Sequence, residues 1–194
     1  MMLSLDCIVD KLIVEKTTPE HCFDLAPRLK SIDRYELALW GLDPLLALLQ
    51  PFRFTRRKNI HTFTILTESK QEVVAIFGAV PTRNNHKIGT IWFLASDLLD
   101  KHYAYFLKRN KKWLHYLEEN YDYLCNYITE EHQTSIRWLK WQGFEFSKPM
   151  LVKNVKVLYF YKRLHNVVKN GMQPVLNDLG PTWKTELKSK KIIA

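Results

Sequence analysis

Apolar positions along the chain fall into two alternating periods, and the alternation predicts the elements. Residues 11–16, KLIVEK, form a short apolar run with polar ends and read as a strand. Thr17-Thr18-Pro19-Glu20 then supplies a helix start: hydroxyl cap, proline at the first helical position, acid in the first turn. His21, Phe23, Leu25 and Leu29 continue that helix. Ile32, Tyr35, Leu37 and Leu39 mark a second, ending at Gly41, and Leu42-Asp43-Pro44 restarts a short helix through Leu49. Residues 62–67, 72–80 and 87–94 are apolar, β-branched runs joined by the polar turns ESKQ and RNNH, which predicts a meander of antiparallel strands. Residues 97–121 carry the longest helical pattern, with Leu98, Tyr105, Phe106, Trp113, Leu114 and Leu117 on the apolar stripe. Lys108, Arg109, Lys111 and Lys112 lie on its polar face.

The stretch 123–144, YLCNYITEEHQTSIRWLKWQGF, has the most complete local pattern. Residues 123–128 are an apolar run of strand length, and Thr129 offers an N-cap hydroxyl with Glu130 and Glu131 in the first turn. Ile136 and Leu139 follow at helical spacing, widened by Trp138 and Trp141. Gly143 suits the left-handed residue that ends a helix, with Phe144 packing back on Leu139. Residues 145–152 and 155–161 close the pattern as two strands. The fold class is α/β (α+β): a mixed, mainly antiparallel sheet of about seven strands flanked by helices, in the order β-α-α-β-β-β-α-β-α-β-β.

Composition adds boundaries. With 194 residues, 46% hydrophobic and 13% aromatic, the chain can bury a core, and residues 1–163 read as one domain. Residues 164–194 read as a basic C-terminal extension, flexible or partner-bound, because Gly171, Pro174, Gly180 and Pro181 interrupt any apolar period. Trp183, Lys184, Lys188, Lys190 and Lys191 are its candidate partner-binding residues. Cys7, Cys22 and Cys125 include no CxxC pair, which argues against a disulfide framework or a zinc site, and no metal is expected. The opening residues lack a basic n-region and no apolar run approaches the length of a spanning helix, so a soluble protein is expected. The net charge of +9 makes polyanions plausible partners. Arg53, Arg56, Arg57 and Lys58 beside Phe52 and Phe54, and the basic run at 108–112 beside Trp113, interleave cations with rings as single-strand nucleic-acid binders do. No recognised nucleic-acid motif accompanies them.

The segment HQTSIRWLKWQGF at 132–144 resembles the last block of the GCN5-related N-acetyltransferase superfamily, N-x-x-A-I-x-L-Y-x-x-x-G-F. Ile136 falls on the isoleucine, Ser135 on the alanine, Trp138 on the leucine, and Gly143-Phe144 on the closing pair. APRLKSIDRYELALWGLDPLLAL, VVAIFGAVP, IGTIWFLASDLL and SIRWLKWQGF together resemble a phage-encoded branch, similar to the internal virion proteins of T7-like podoviruses. The resemblance spans roughly residues 12–161. It implies acetyl-CoA in a gap between the fourth and fifth strands, with Phe93, Leu94, Ala95, Asn126 and Trp138 as candidate cofactor residues. It further implies a pyrophosphate loop of the form Q/R-x-x-G-x-G/A and a tyrosine that protonates the leaving thiolate. The chain departs from both: residues 95–100 read ASDLLD without glycine, and Leu139 stands at the tyrosine position. His132 replaces the asparagine. Asp97, His102 and His132 are the candidate catalytic residues.

Three functions follow as expectations. One is a phage virion or assembly protein on a degenerate acetyltransferase fold, binding other phage structural proteins and found in the virion and host cytoplasm. The second is an active acyl-CoA-dependent N-acyltransferase, and the third a basic nucleic-acid-binding accessory protein.

Overall fold

A computed structural model describes residues 11–53, 60–69, 71–82 and 85–164. Strand β1 (Leu12–Lys16) leads into helices α1 (Pro19–Leu25), α2 (Ser31–Leu39) and α3 (Pro44–Leu49). Proline at the first position of α1 and α3 presets the helical φ, and Asp43 caps α3 by accepting the Leu46 N–H at 3.0 Å. The meander β2 (His61–Thr67), β3 (Val73–Pro81) and β4 (Ile88–Ala95) follows. Next come α4 (Leu98–Lys101), α5 (Tyr103–Glu118), β5 (Tyr123–Thr129) and α6 (Gln133–Trp141). The hairpin strands β6 (Glu145–Phe146), β7 (Met150–Val152) and β8 (Val155–Arg163) close the described residues.

These strands form one sheet in the order β1-β2-β3-β4-β5-β8-β6, with β7 also on β8. Pairing is antiparallel except between β4 and β5, which run parallel. The mixed, mainly antiparallel sheet is the expected fold class, with differences of detail that have local causes. Among the described residues the sheet has eight strands, because Ser147-Lys148-Pro149 interrupts the run at 145–152 and divides it into β6 and β7. The short helix expected through Leu49 forms as α3, a third helix ahead of β2 where the written order counts two. The helical pattern at 97–121 is two helices broken at His102, whose backbone (φ −109°, ψ 11°) leaves the helical region.

Thr129 does not cap α6. It remains in β5 opposite Val157, and its hydroxyl is held by Glu36 of α2, so the helix starts later, with His132 at the N-cap position and Glu130 and Glu131 in the turn. The end of α6 follows the sequence pattern closely. Gly143 has φ +83°, the Phe144 N–H bonds Leu139 O, and the Gly143 N–H bonds Lys140 O, each at 3.0 Å.

Helices cover both faces of the sheet. Phe77, Ile91, Phe106, Leu114, Ile136 and Leu139 pack beneath α4–α6, and Cys22, Leu25, Leu29, Leu37, Leu48 and Ile76 beneath α1–α3. β3 is buried along its whole length, as the centre of such a sandwich requires.

Candidate functional site

β4 and β5 pair only through Ile88–Tyr123, Gly89–Leu124 and Thr90–Cys125, after which they part. Asn126 sits at the point of separation. Its Nδ2 donates to Ile91 O at 2.7 Å across the split, and its Oδ1 accepts the Tyr127 N–H at 2.8 Å. The polar residue inside an apolar strand thus satisfies backbone groups that the ladder has lost.

Along β4, backbone groups alternate in direction, so Ile91, Phe93 and Ala95 present theirs to the open side. Ile91 O is taken by Asn126. The Ala95 N–H donates to Asp33 Oδ2 and Ala95 O accepts the Lys30 N–H, both at 2.8 Å. Phe93 is left as the residue whose N–H and C=O face the gap.

A cavity of about 600 Å³ opens at this split and passes through the sheet. Trp40, Ala47 and Pro51 line it from the α1–α3 face, and Phe106, Asn110, Trp113 and Trp138 from the opposite face. Leu99, Asp100 and Tyr103 line its end at the α4–α5 junction. Buried Asn110 fixes one wall: its Oδ1 accepts from Trp138 Nε1 at 3.3 Å and Gln142 Nε2 at 2.7 Å, while its Nδ2 donates to Phe106 O and Leu107 O.

The charged side chains of the cavity come from α2 and its N-cap Lys30, from Asp100 of α4, and from the turn that leads into α6. Glu36 Oε1 accepts from the Thr129 N–H at 2.6 Å and the Thr129 hydroxyl at 2.7 Å. Its Oε2 lies 3.3 Å from His132 Nδ1. His132 Nε2 in turn lies 2.8 Å from Ser135 Oγ. A carboxylate only accepts, so in the neutral imidazole the network places the proton on Nδ1 and leaves Nε2 as an acceptor for the serine hydroxyl. Both partners are largely withdrawn from solvent, with side-chain exposures of 14% for His132 and 20% for Glu36. Asp100 is paired with Lys30 and so does not stand as a free anion at the cavity mouth.

Asp33 is the one carboxylate here that is almost wholly buried. Burial pushes its carboxyl up to about 6, against smaller opposing effects of the Ala95 N–H and His132. An unfolded carboxyl titrates near 4, so between roughly pH 4 and 6 the folded chain holds a proton that the unfolded chain has lost. The stability penalty from Asp33 is absent below about pH 4, grows as pH rises through 6, and is complete above it. At about 1.4 kcal/mol per pKa unit the full penalty is on the order of 2–3 kcal/mol. Asp33→Asn keeps an oxygen for the Ala95 N–H and removes the charge. We expect it to resist urea better than the parent at about pH 7.5 and equally near pH 4. Coincident midpoints at both pH values would show that the buried charge costs nothing.

Phe93, Leu94, Ala95, Asn126, Trp138 and His132, singled out in the sequence, all line the cavity. Asp97 and His102 do not. Asp97 is exposed at the start of α4 without a side-chain cap bond. His102 is 8% exposed at the start of α5, its Nδ1 buried without a partner. Glu36, Asp33 and Ser135 escaped the sequence reading. Glu36 and Asp33 look like ordinary acids of an amphipathic helix, about a hundred residues from α6, and Ser135 occupies an alanine position of the block. The thiols of Cys22 and Cys125 are pushed up to about 11 by burial, so neither is a thiolate near neutrality. Among the described residues no group of three His, Cys, Asp or Glu is placed to hold a metal, and no helix is long and apolar enough to cross a membrane. On the α5 surface Lys111 lies 4.8 Å from the Trp141 ring centroid and Arg109 5.4 Å from that of Tyr105. Arg56, Arg57 and Lys58, and the candidate partner residues Trp183, Lys184, Lys188, Lys190 and Lys191, lie outside the described residues.

No protein-family model and no curated protein matches the chain. Solved structures do. A GCN5-related N-acetyltransferase from Kribbella flavida superposes with a TM-score of 0.61 at 10% identity, over 79% of this chain and 98% of that one. Ard1 from Thermoplasma volcanium gives 0.59 at 10% identity, over 79% and 98%. The spermidine N-acetyltransferase of Vibrio cholerae, solved with CoA and spermine, gives 0.57 at 10% identity, over 79% and 96%. At such identities the likeness is one of fold: residues 11–164 carry the acetyltransferase (GNAT) fold.

Proposed function

We propose that the chain is an acyl-CoA-dependent N-acyltransferase. The observation that carries this reading is the split between β4 and β5, opening into a cavity that crosses the sheet beside the Glu36–His132 pair. When bound, acyl-CoA would supply the acyl group that passes to an amine. The residues present suit that ligand. Phe93 offers an N–H and a C=O to an amide-bearing arm, while Trp138 and Phe106 line an apolar channel. The first turn of α5 has N–H groups without intrahelical partners, which favours a phosphate there. Unpartnered His102 Nδ1 lies at the same helix start. The missing glycines matter less than the sequence suggests, because residues 98–101 fold as the extra turn α4 and the anion-seeking end falls to α5.

On the α2 side of the sheet, Glu36, Asp33 and Glu131 give the cavity an acidic lining suited to a cationic amine. His132 Nε2 is the acceptor for the proton that the amine must lose, and Glu36 holds the ring and steadies the imidazolium. Leu139, at 4% exposure, has no proton to return, so the proton taken up by His132 is the one this reading passes to the departing group.

Isothermal calorimetry with acetyl-CoA tests the reading: micromolar binding is expected, and no heat at millimolar ligand would refute it. The second reading, an assembly module binding other virion proteins, is favoured by Leu139 at the tyrosine position. Absence of acetyl-CoA binding is the result that reading requires.

A further inference from the structure

Ser135, His132 and Glu36 come together from two elements as a nucleophile, a base and an orienting acid. We propose that Ser135 is a covalent nucleophile and that the cavity transfers acyl groups by double displacement through an ester on Ser135 Oγ. This rests on the acyl-CoA reading above for the identity of the acyl donor.

The geometry meets each requirement of an activated serine. Ser135 Oγ is 2.8 Å from His132 Nε2, within reach for proton transfer. The other ring nitrogen faces Glu36 at 3.3 Å, and Glu36 is itself fixed by two bonds to Thr129. A third group that orients the base is what separates a catalytic relay from a mere pair. All three side chains line the cavity, and Ser135 is half-buried rather than sealed. A serine in the third position of a helix often bonds back to the residue at its cap, and that alone would explain the Ser135–His132 contact. It does not explain why a glutamate 96 residues earlier in sequence is aimed at the far nitrogen. The dipole at the start of α6 further favours an oxyanion on Ser135.

In the first half-reaction the bond from Ser135 Oγ to the acyl carbon forms and the thioester C–S bond breaks. The serine proton passes to His132 Nε2 and from there to the departing thiolate. In the second, an amine or water forms its bond to the acyl carbon and the ester C–O bond breaks. The nucleophile's proton returns through His132 to Ser135. No electrons are gained or lost, and no further reactant is needed.

The test uses the full chain and two probes. A fluorophosphonate, which labels activated serines whatever their acyl donor, is expected to modify Ser135. Ser135→Ala should abolish the label and His132→Asn should slow it by about 100-fold or more. Ser135→Ala replaces a half-buried helical residue with the best helix former, so folding is preserved. Glu36→Gln should shift the pH profile of labelling, which a purely structural cap would leave unmoved. Acetyl-CoA, followed by acid quench and trypsin, should leave one acetyl group on the peptide spanning 113–137. Acetyl-CoA binding with neither label nor acetylated peptide overturns the nucleophile and keeps the acyltransferase reading. Labelling without acetyl-CoA binding keeps the nucleophile and overturns the acyl-CoA reading, and neither result overturns both.

Discussion

Replacing His132 with alanine is expected to lower kcat/KM for amine acylation by about 10²–10⁴, the usual worth of a positioned base. That is on the order of 3–5 kcal/mol of transition-state stabilisation at about 1.4 kcal/mol per decade. The loss should be chemical and not structural. His132 makes no side-chain cap bond to α6, and without it Glu36 still holds the Thr129 N–H and hydroxyl. Ser135 Oγ would then face the cavity, where water can reach it. Release of free CoA thiol with a panel of primary amines gives the rate, and calorimetry with acetyl-CoA gives the affinity. The expected pattern is a collapsed rate with affinity retained. Rates equal to the parent's would remove His132 from the chemistry.

Gly78→Ala carries the largest expected effect on stability. Gly78 lies in β3, opposite Thr62, and a Cβ there would stand 2.2 Å from the backbone oxygen of His61 and 3.0 Å from Thr62 Cα. The obstacle is backbone, so no rotamer change relieves it, and β2 must shift away from the central strand. Such a shift also disturbs the β1–β2 pairing, whose register runs from Leu12–Thr67 to Lys16–Phe63. We expect a loss of about 3 kcal/mol or more, at or beyond the upper range of overpacking. Urea unfolding of the variant measures it, and a loss below about 1 kcal/mol would mean that β2 yields more easily than a ladder-bound strand should.

The sequence alone determined most of the local architecture. The β-branched runs placed the strands to within a residue or two, since a strand's side chains read out burial with period 2. Gly143-Phe144 announced the end of α6, because only a left-handed residue completes that pattern of bonds. His132, Asn126 and Phe93 were visible as polar or aromatic residues on elements flanking an expected gap. Local pattern misled where a tertiary partner competed for the same group. Thr129 has every feature of a cap, yet its hydroxyl goes to Glu36, and the helix begins at Gln133.

Only the tertiary structure decided what the site is made of. Glu36 and Asp33 sit on a helix whose own sequence shows nothing beyond an amphipathic face. They acquire roles because α2 packs over the point where β4 and β5 part. That crossing places one carboxylate on Ala95 N–H, where burial raises its affinity for a proton, and the other on Thr129 and His132. Only the structure shows that residues 98–101 of the glycine-free loop coil into the helix α4. Helix spacing brings Ser135 to His132, but no spacing in the chain brings Glu36 to either. That contact exists because the sheet splits, and the hydrogen-bonding groups freed by the split need partners from outside it.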